Sequence, residues 1–484
     1  MQYGPGAENA FAGVATAYAD STPLLLLPMG NPRDRDGVRP LFSSVKSFAT
    51  VTKSVEQINV PERTVDALRR AFAAIKIGRP GPALVELPLD VAAQDIDPAL
   101  VEAYQPVQSA RTQADPGDVE RAVKAILKAE RPLILAGSGV LYAEASSELQ
   151  RLAELLKLPV MTTMGGKSAI SERRHPLALG SGSGVMSGTV YHFLKHADLV
   201  FAVGSSLTRH LMVTPIPPGK TIVQVSNDPA DLHKSYPVDI AVLGDAKLAL
   251  RQVIDCTRDV LGRRACKDGR DVASEIKHCR ASWLETWTPK LTSNETPINP
   301  YRVIWDFMQT VPPSEAIVTH DSGNPRYEIM PFYQSDGPRT YLGWGKSHQL
   351  GTGLGLCIGA KLAAPDKFCV HFMGDSAFGM TGLDFETAVR AGLPICCIVL
   401  KNSIMAVEAN HMRVSHEKYK ARLVGGDYAD IARALGGWAE RVELPQYVAP
   451  AIMRARRATE EGVPALLEII TSEEPEYSYL RPFQ

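Results

Sequence analysis

"KFCVHFMGDSAFGMTGLDFETAVRAGLPICCIVLKNS", residues 367–403, contains two apolar runs, each of which ends on small polar residues. The first stops on Gly374, Asp375 and Ser376; the second stops on Asn402 and Ser403. Val, Ile, Cys and Leu in near-continuous runs, without polar alternation, mark strands buried on both faces, the strands of parallel sheets covered by helices. Between the runs, Thr381 to Ala391 reads as a helix, which makes the stretch one strand–helix–strand crossover. Such a crossover places its two carboxyl-end loops side by side, so Asp375 and Asn402 are expected to face one crevice. They offer a carboxylate and an amide oxygen, hard ligands suited to Mg²⁺ or Ca²⁺ rather than Zn²⁺. Two side chains and one backbone carbonyl leave an octahedral ion unfilled, and phosphate oxygens and water suit the remaining positions. Backbone N–H groups of Ser376 and Ala377, just before the helix, can meet the same anion. Taken alone, Gly-Asp-Ser is also what an ordinary turn contains.

The same strand pattern recurs outward from this stretch. "AIVTHDSGN" (316–324) and "ALLEIITSE" (465–473) supply further strands of the third segment. A central group alternates with helical patterns: "RPLILAGSGV" (131–140), "LPVMTTM" (158–164), "ADLVFAVGSSL" (197–207), "TIVQVSND" (221–228) and "DIAVLGD" (239–245). At the amino end come "TPLLLLPMG" (22–30), a helix from about Val65 to Ile77, and "GPALVELPLDV" (81–91). The expected organisation is a partial first domain over 1–98, a linker over 99–117, and a central Rossmann-like domain over 118–255. A second linker over 256–296 leads to a third domain over 297–484. The fold class is α/β: three domains, each a mostly parallel sheet flanked by helices, in keeping with 484 residues.

Composition narrows the function. A formal net charge of −1 gives no field for nucleic acid or an anionic membrane surface, so neither is expected as a partner. The longest apolar runs, such as Leu24 to Leu27, are too short to span a bilayer. No basic stretch followed by an apolar one opens the chain. Seven cysteines, an odd number without metal spacing, read as reduced cytoplasmic thiols buried as small hydrophobes. The "GTGLG" at 351–355 follows no clear strand, which speaks against a nicotinamide site.

The set "GDSAFGMTGLDFETAVRAGLPICCIVLKNS" resembles the thiamin-diphosphate motif that runs from Gly-Asp-Gly to Asn-Asn. "HQLGTGLGLCIGAKLAAPDK" (348–367), "GPGAENAFAGVATAYADSTPLLLLPMG" (4–30), "GRPGPALVELPLDV" (78–91) and "RPLILAGSGV" through "YPVDIAVLGDAKLAL" resemble other parts of acetolactate synthase and its relatives. The chain is therefore identified as resembling thiamin-diphosphate enzymes of the acetolactate synthase large-subunit type, over nearly its whole length. "GDSAF" also resembles oxalyl-CoA decarboxylase. The resemblance implies Mg²⁺ bound by Asp375, Asn402 and the backbone carbonyl of Ile404. It implies a cofactor cradle including Gly374, Ser376, Ala377 and Leu350, the apolar residue beneath the bent cofactor, which also suits a plain core. Asn324 falls where the family uses a polar side chain near the diphosphate, and it equally suits a turn. Lys401 stands where the family has its first asparagine, a position that is not a ligand.

By the same resemblance, the family's catalytic glutamate precedes the Gly4-Pro5-Gly6 turn by more residues than this chain contains, and Glu8 does not take its place. The expectation is a first domain lacking its amino-terminal part, through a start site set inside the motif or a partner chain that supplies the rest. Other proton carriers are sought in "SIMAVEANHMRVSHEKY" (403–419): Glu408, Asn410, His411 and His416, all equally suited to an exposed polar loop. This loop lacks the tryptophan expected of acetolactate synthase. Arg33 and Arg35 can meet a carboxylate substrate or form a solvated face. "GSGSGVMSG" (180–188) and "GSSLTRH" (204–210) lie where some relatives hold FAD, which the residues leave unassigned. The implied function is a thiamin-diphosphate- and Mg²⁺-dependent carboligase or decarboxylase of small 2-oxo acids, working as a homodimer or homotetramer. The alternatives are a non-catalytic or partner-dependent cofactor-binding subunit, and an oxalyl-CoA decarboxylase-like acyl-CoA lyase.

Overall fold

The apolar runs build three sheets, and every strand pair in them is parallel. The computed structural model describes residues 1–262, 271–407 and 411–483. Two compact units emerge: Met1–Gln113 with Asn227–Pro229 and Gly345–Gln349, and the remainder of the chain.

In the first unit, β1 (Leu24–Leu26), β2 (Met29–Gly30) and β3 (Ser54–Gln57) all pair with β4 (Pro82–Pro88). β1 and β2 share one register, Leu24 opposite Pro82 and Met29 opposite Leu87. The break between them falls at Pro28, which has no N–H to give to a ladder. β4 alternates its faces, as a pleated strand must. Ala83 and Val85 pack with Ala67, Ala71 and Ile75 of the helix Thr64–Lys76, while Leu84 packs with Ala7 and Val14 of the helix Pro5–Ala19.

The second unit carries two six-stranded sheets. The central one has β5 (Pro132–Ala136), β6 (Val160–Thr163), β7 (Ala178–Gly182), β8 (Leu199–Val203), β9 (Thr221–Ser226) and β10 (Ile240–Leu243), in the order 10-9-8-5-6-7. The other has β11 (Ala316–His320), β12 (Tyr341–Leu342), β13 (Phe368–Gly374), β14 (Cys396–Lys401), β15 (Trp438–Val442) and β16 (Ala465–Ile470), in the order 12-11-13-14-16-15. All residues of β8 and β14 are buried, as expected of strands covered on both faces. The stretch 256–296 carries a long helix, Val272–Leu291, whose Trp283 stacks on Phe332 with ring centroids 4.8 Å apart.

The crossover between β13 and β14 differs from the expected single helix over Thr381–Ala391. The chain turns helical at once, over Asp375–Thr381, passes through a tight turn at Gly382–Asp384, and resumes as Phe385–Arg390. Phe378 packs so closely on Gly382 that a Cβ there would collide with its ring. Thr381 Oγ1 donates to Gly351 O at 3.1 Å, which pins the end of the first helical piece. Four strands had no continuous apolar run to reveal them: β3, β7, β12 and β15 are short, glycine-bearing or alternating. No helix among the described residues is long and apolar enough to cross a membrane.

Candidate functional site

β11, β13 and β14 are neighbours, and their carboxyl ends bring three loops together, starting at Asp321, Asp375 and Asn402. Asp375 is 2% exposed. Its Oδ2 accepts the Ser403 N–H at 2.6 Å, and its Oδ1 accepts the N–H of Ser376 at 2.7 Å. One carboxylate thus ties the loop after β13 to the loop after β14, as the crossover spacing implies. Burial pushes this carboxyl above its ordinary range, against the pull of the Ser403 and Ser376 N–H groups. Asn402 Oδ1 accepts the N–H of Ile404 at 3.1 Å, so the amide and the Ile404 backbone share this corner. Lys401 is engaged elsewhere: its Nζ lies 2.7 Å from Glu468 Oε1 and also donates to Gly426 O.

Asp321, which the sequence reading passed over, is 0% exposed and holds a different set of partners. Its Oδ1 accepts from Ser322 N at 2.7 Å and Gly351 N at 2.8 Å, and its Oδ2 accepts from Gly353 N at 3.2 Å. His371 Nε2, on β13, lies 3.2 Å from Oδ2. The carboxylate therefore fixes the turn that carries Leu350 into the helix Thr352–Ala363. Gly351 takes φ +90° there, and a Cβ would strike Thr381. A signal for Asp321 was present: "THDS" ends its strand on Asp-Ser just as "MGDS" does.

The other expected residues divide. Leu350 is half-buried and packs with the core that includes Leu354, Ala377 and Phe378. Asn324 opens the helix Asn324–Phe332; its Oδ1 accepts from Tyr477 OH at 2.8 Å, while its buried Nδ2 has no partner. Gly374 has ordinary backbone angles, and a Cβ would meet only Pro325, at 3.9 Å. Neither packing nor strain requires a glycine there, and its bare backbone leaves room for a group to approach. Glu408 and Asn410 lie outside the described residues. His411 is exposed, and His416 is half-buried on the short helix Arg413–Tyr419. Arg33 pairs with Asp90 at 2.6 Å, Arg35 lies 4.0 Å from Asp34, and Glu8 is exposed on its helix. The glycines at 137, 139 and 204 pack backbone against backbone, with Gly139 N donating to Gly204 O at 2.9 Å. Glu328, one turn beyond Asn324, is fully enclosed, and burial pushes its carboxyl up to about 8.

The corner at Asp375 can hold a hard divalent cation. Its donors are all oxygens, and Asp375 keeps lone-pair capacity beyond its two N–H partners. Among the described residues no three His, Cys, Asp or Glu side chains gather as a metal centre, so the remaining ligands must be amide, backbone or bound-molecule oxygens.

Two family models and several known proteins match this chain. Residues 119–253 match the thiamine pyrophosphate enzyme central domain, and residues 321–469 match the C-terminal TPP binding domain of such enzymes. A probable acetolactate synthase large subunit of Methanocaldococcus jannaschii is 30% identical over 497 residues, covering 96% of this chain and 80% of the relative. The acetolactate synthase large subunit of Corynebacterium glutamicum is 28% identical, covering 97% of this chain and 76% of its own. Sulfoacetaldehyde acetyltransferase of Alcaligenes xylosoxydans is 27% identical, covering 98% and 82% respectively.

Proposed function

The chain belongs to the thiamin-diphosphate enzymes of the acetolactate synthase large-subunit type, and from that premise we propose that it is a Mg²⁺-dependent carboligase or decarboxylase of small 2-oxo acids. The observation that carries this reading is the Asp375 carboxylate bonded to Ser403 N, beside Asn402, across the ends of β13 and β14. In this reading Asp375, Asn402 and the Ile404 carbonyl would hold the ion that neutralises the diphosphate. Ala377, in the first turn of its helix, would offer a backbone N–H to the same anion. The unpaired Nδ2 of Asn324 is a further donor at this edge of the sheet. Leu350, on the turn fixed by Asp321, would support the cofactor from the apolar side. Bound thiamin diphosphate supplies a nucleophilic carbon and an electron sink for decarboxylation. The chain's own part is to orient it and keep water from the reacting carbon.

The test is CO₂ release from pyruvate by the full chain, with thiamin diphosphate and Mg²⁺ each present or withheld. Release that needs both supports the proposal. No cofactor-dependent release from pyruvate or other 2-oxo acids overturns the reaction assigned. Unchanged Mg²⁺ dependence of cofactor uptake in Asp375→Asn overturns the metal site.

A further inference from the structure

Away from these strand ends, a cavity of about 390 Å³ lies between the segment from Lys167 to Gly180, the helix Val272–Leu291 and the end of the helix Asn324–Phe332. That volume lies within the range of small-molecule sites. None of the residues placed at the cofactor corner lines it, and neither do the glycine loops that follow β5 and β8.

Its two sides differ in chemistry. One is apolar and firm: Trp283 stacks on Phe332, and its Nε1 donates to Ser478 Oγ at 3.0 Å, with Trp305 and Met308 alongside. The other holds three cations against one carboxylate: Lys167, Arg173 and Arg280 against Glu172. Lys167 takes up that carboxylate, with its Nζ 2.5 Å from Glu172 Oε2. Glu172 is further occupied by Ser181 Oγ at 2.8 Å and Ser335 N at 3.2 Å. Arg280 donates to Ala178 O at 2.5 Å, and neither it nor Arg173 has an ion-pair partner among the described residues. Burial lowers the Arg280 guanidinium from its ordinary range, which Glu172 only partly offsets.

A third feature belongs to the same lining. Thr189 lines the cavity, is 0% exposed, and its Oγ1 has no hydrogen-bond partner. It stands on the first turn of the helix Gly188–His196, whose amino end favours negative charge. A buried hydroxyl without a partner and a half-buried guanidinium without an ion pair are costly unless an anion completes them, and the exposed Arg173 adds positive charge to the same lining.

We propose that this cavity binds a small organic carboxylate with an apolar body, the carboxylate meeting Arg173, Arg280 and Thr189 and the body lying against Trp283 and Trp305. It is a second ligand site, apart from the reacting centre. The test titrates phenylacetate into the full chain, followed by calorimetry and by the fluorescence of the two wall tryptophans. Saturable binding is expected, with acetate and benzyl alcohol, each lacking one half of the recognised chemistry, at least about tenfold weaker. Arg280→Met and Arg173→Ala should each weaken phenylacetate about tenfold, and Thr189→Val by a smaller factor. Arg173 is exposed, so its replacement keeps the folded chain, and unchanged circular dichroism verifies this. Absence of saturable phenylacetate binding overturns the proposal. So does equal affinity in the Arg173→Ala chain, or benzyl alcohol binding as tightly as phenylacetate. The measurement needs neither cofactor nor turnover, so its failure leaves the proposed reaction standing.

Discussion

Two buried aspartates end neighbouring strands of one sheet, and they are used in opposite ways. Asp321 after β11 has both oxygens taken by its own chain: three backbone N–H groups at 2.7, 2.8 and 3.2 Å, with His371 Nε2 also 3.2 Å away. Asp375 after β13 has two N–H partners, at 2.6 and 2.7 Å, and the Ser376 hydroxyl only at 3.5 Å. An ionised carboxylate accepts about four hydrogen bonds; Asp321 takes three from backbone N–H groups, one more than Asp375, which keeps capacity for a cation. The same residue type at the same place on a strand thus serves as an internal tie in one case and as a candidate ligand in the other. What separates them is the supply of donors from loops distant in sequence.

Four substitutions probe this contrast, taken here from the largest expected effect downward. Asp321→Ala strands three buried N–H groups and should cost about 3–5 kcal/mol in urea unfolding, enough to threaten the fold. A cost under about 1 kcal/mol would break the contrast, because Asp321 would then be no tie at all. Asp375→Asn replaces one of the two accepting oxygens by an NH₂ group and should cost about 1–3 kcal/mol, less than Asp321→Ala, while raising the Mg²⁺ needed for thiamin diphosphate uptake on the order of 100-fold, read by calorimetry. A large stability loss without an effect on uptake would make the two aspartates alike.

Glu328 supplies a third case, a buried carboxyl without an ion-pair partner among the described residues. Its carboxyl is raised from 4.5 to about 8, so the folded chain holds a proton that the unfolded chain releases at lower pH. The associated stability is fully present below pH 4.5 and is lost as pH rises through about 8. The slope reaches about 1.4 kcal/mol per pH unit between these values. Glu328→Gln should remove that slope in denaturant melts taken from pH 5 to 8, and an unchanged slope would place the proton elsewhere. The smallest effect belongs to Ser376→Ala. The hydroxyl stands 3.5 Å from Asp375 while the backbone N–H does the bonding, so both stability and Mg²⁺ affinity should move by less than about 0.5 kcal/mol.

Legibility in the sequence followed the same division. Strands such as "CVHFMG" and "CCIVLK" were readable because burial on both faces leaves continuous apolar runs. β15, "WAERV", is a half-buried edge strand broken by two charged residues, and β7, "ALGSG", offers little apolar surface, so neither announced itself. The adjacency of Asp375 and Asn402 was readable because a parallel crossover has one sense of return. The broken helix between them was not, since the packing of Phe378 on Gly382 and the bond from Thr381 to Gly351 lie outside any periodic pattern.

The sequence by itself determined the α/β class, the strands of the buried sheets and the pairing of a carboxylate loop with an amide loop. Each of these follows from local pattern and the handedness of connections. Only the tertiary structure decided that Asp321 is spent on Gly351 and Gly353, that Lys401 is neutralised by Glu468, and that Arg173 and Arg280 line one cavity without ion-pair partners among the described residues. These outcomes depend on which distant donors and acceptors the packed chain brings within about 3 Å of one another, and spacing along the chain does not fix those distances.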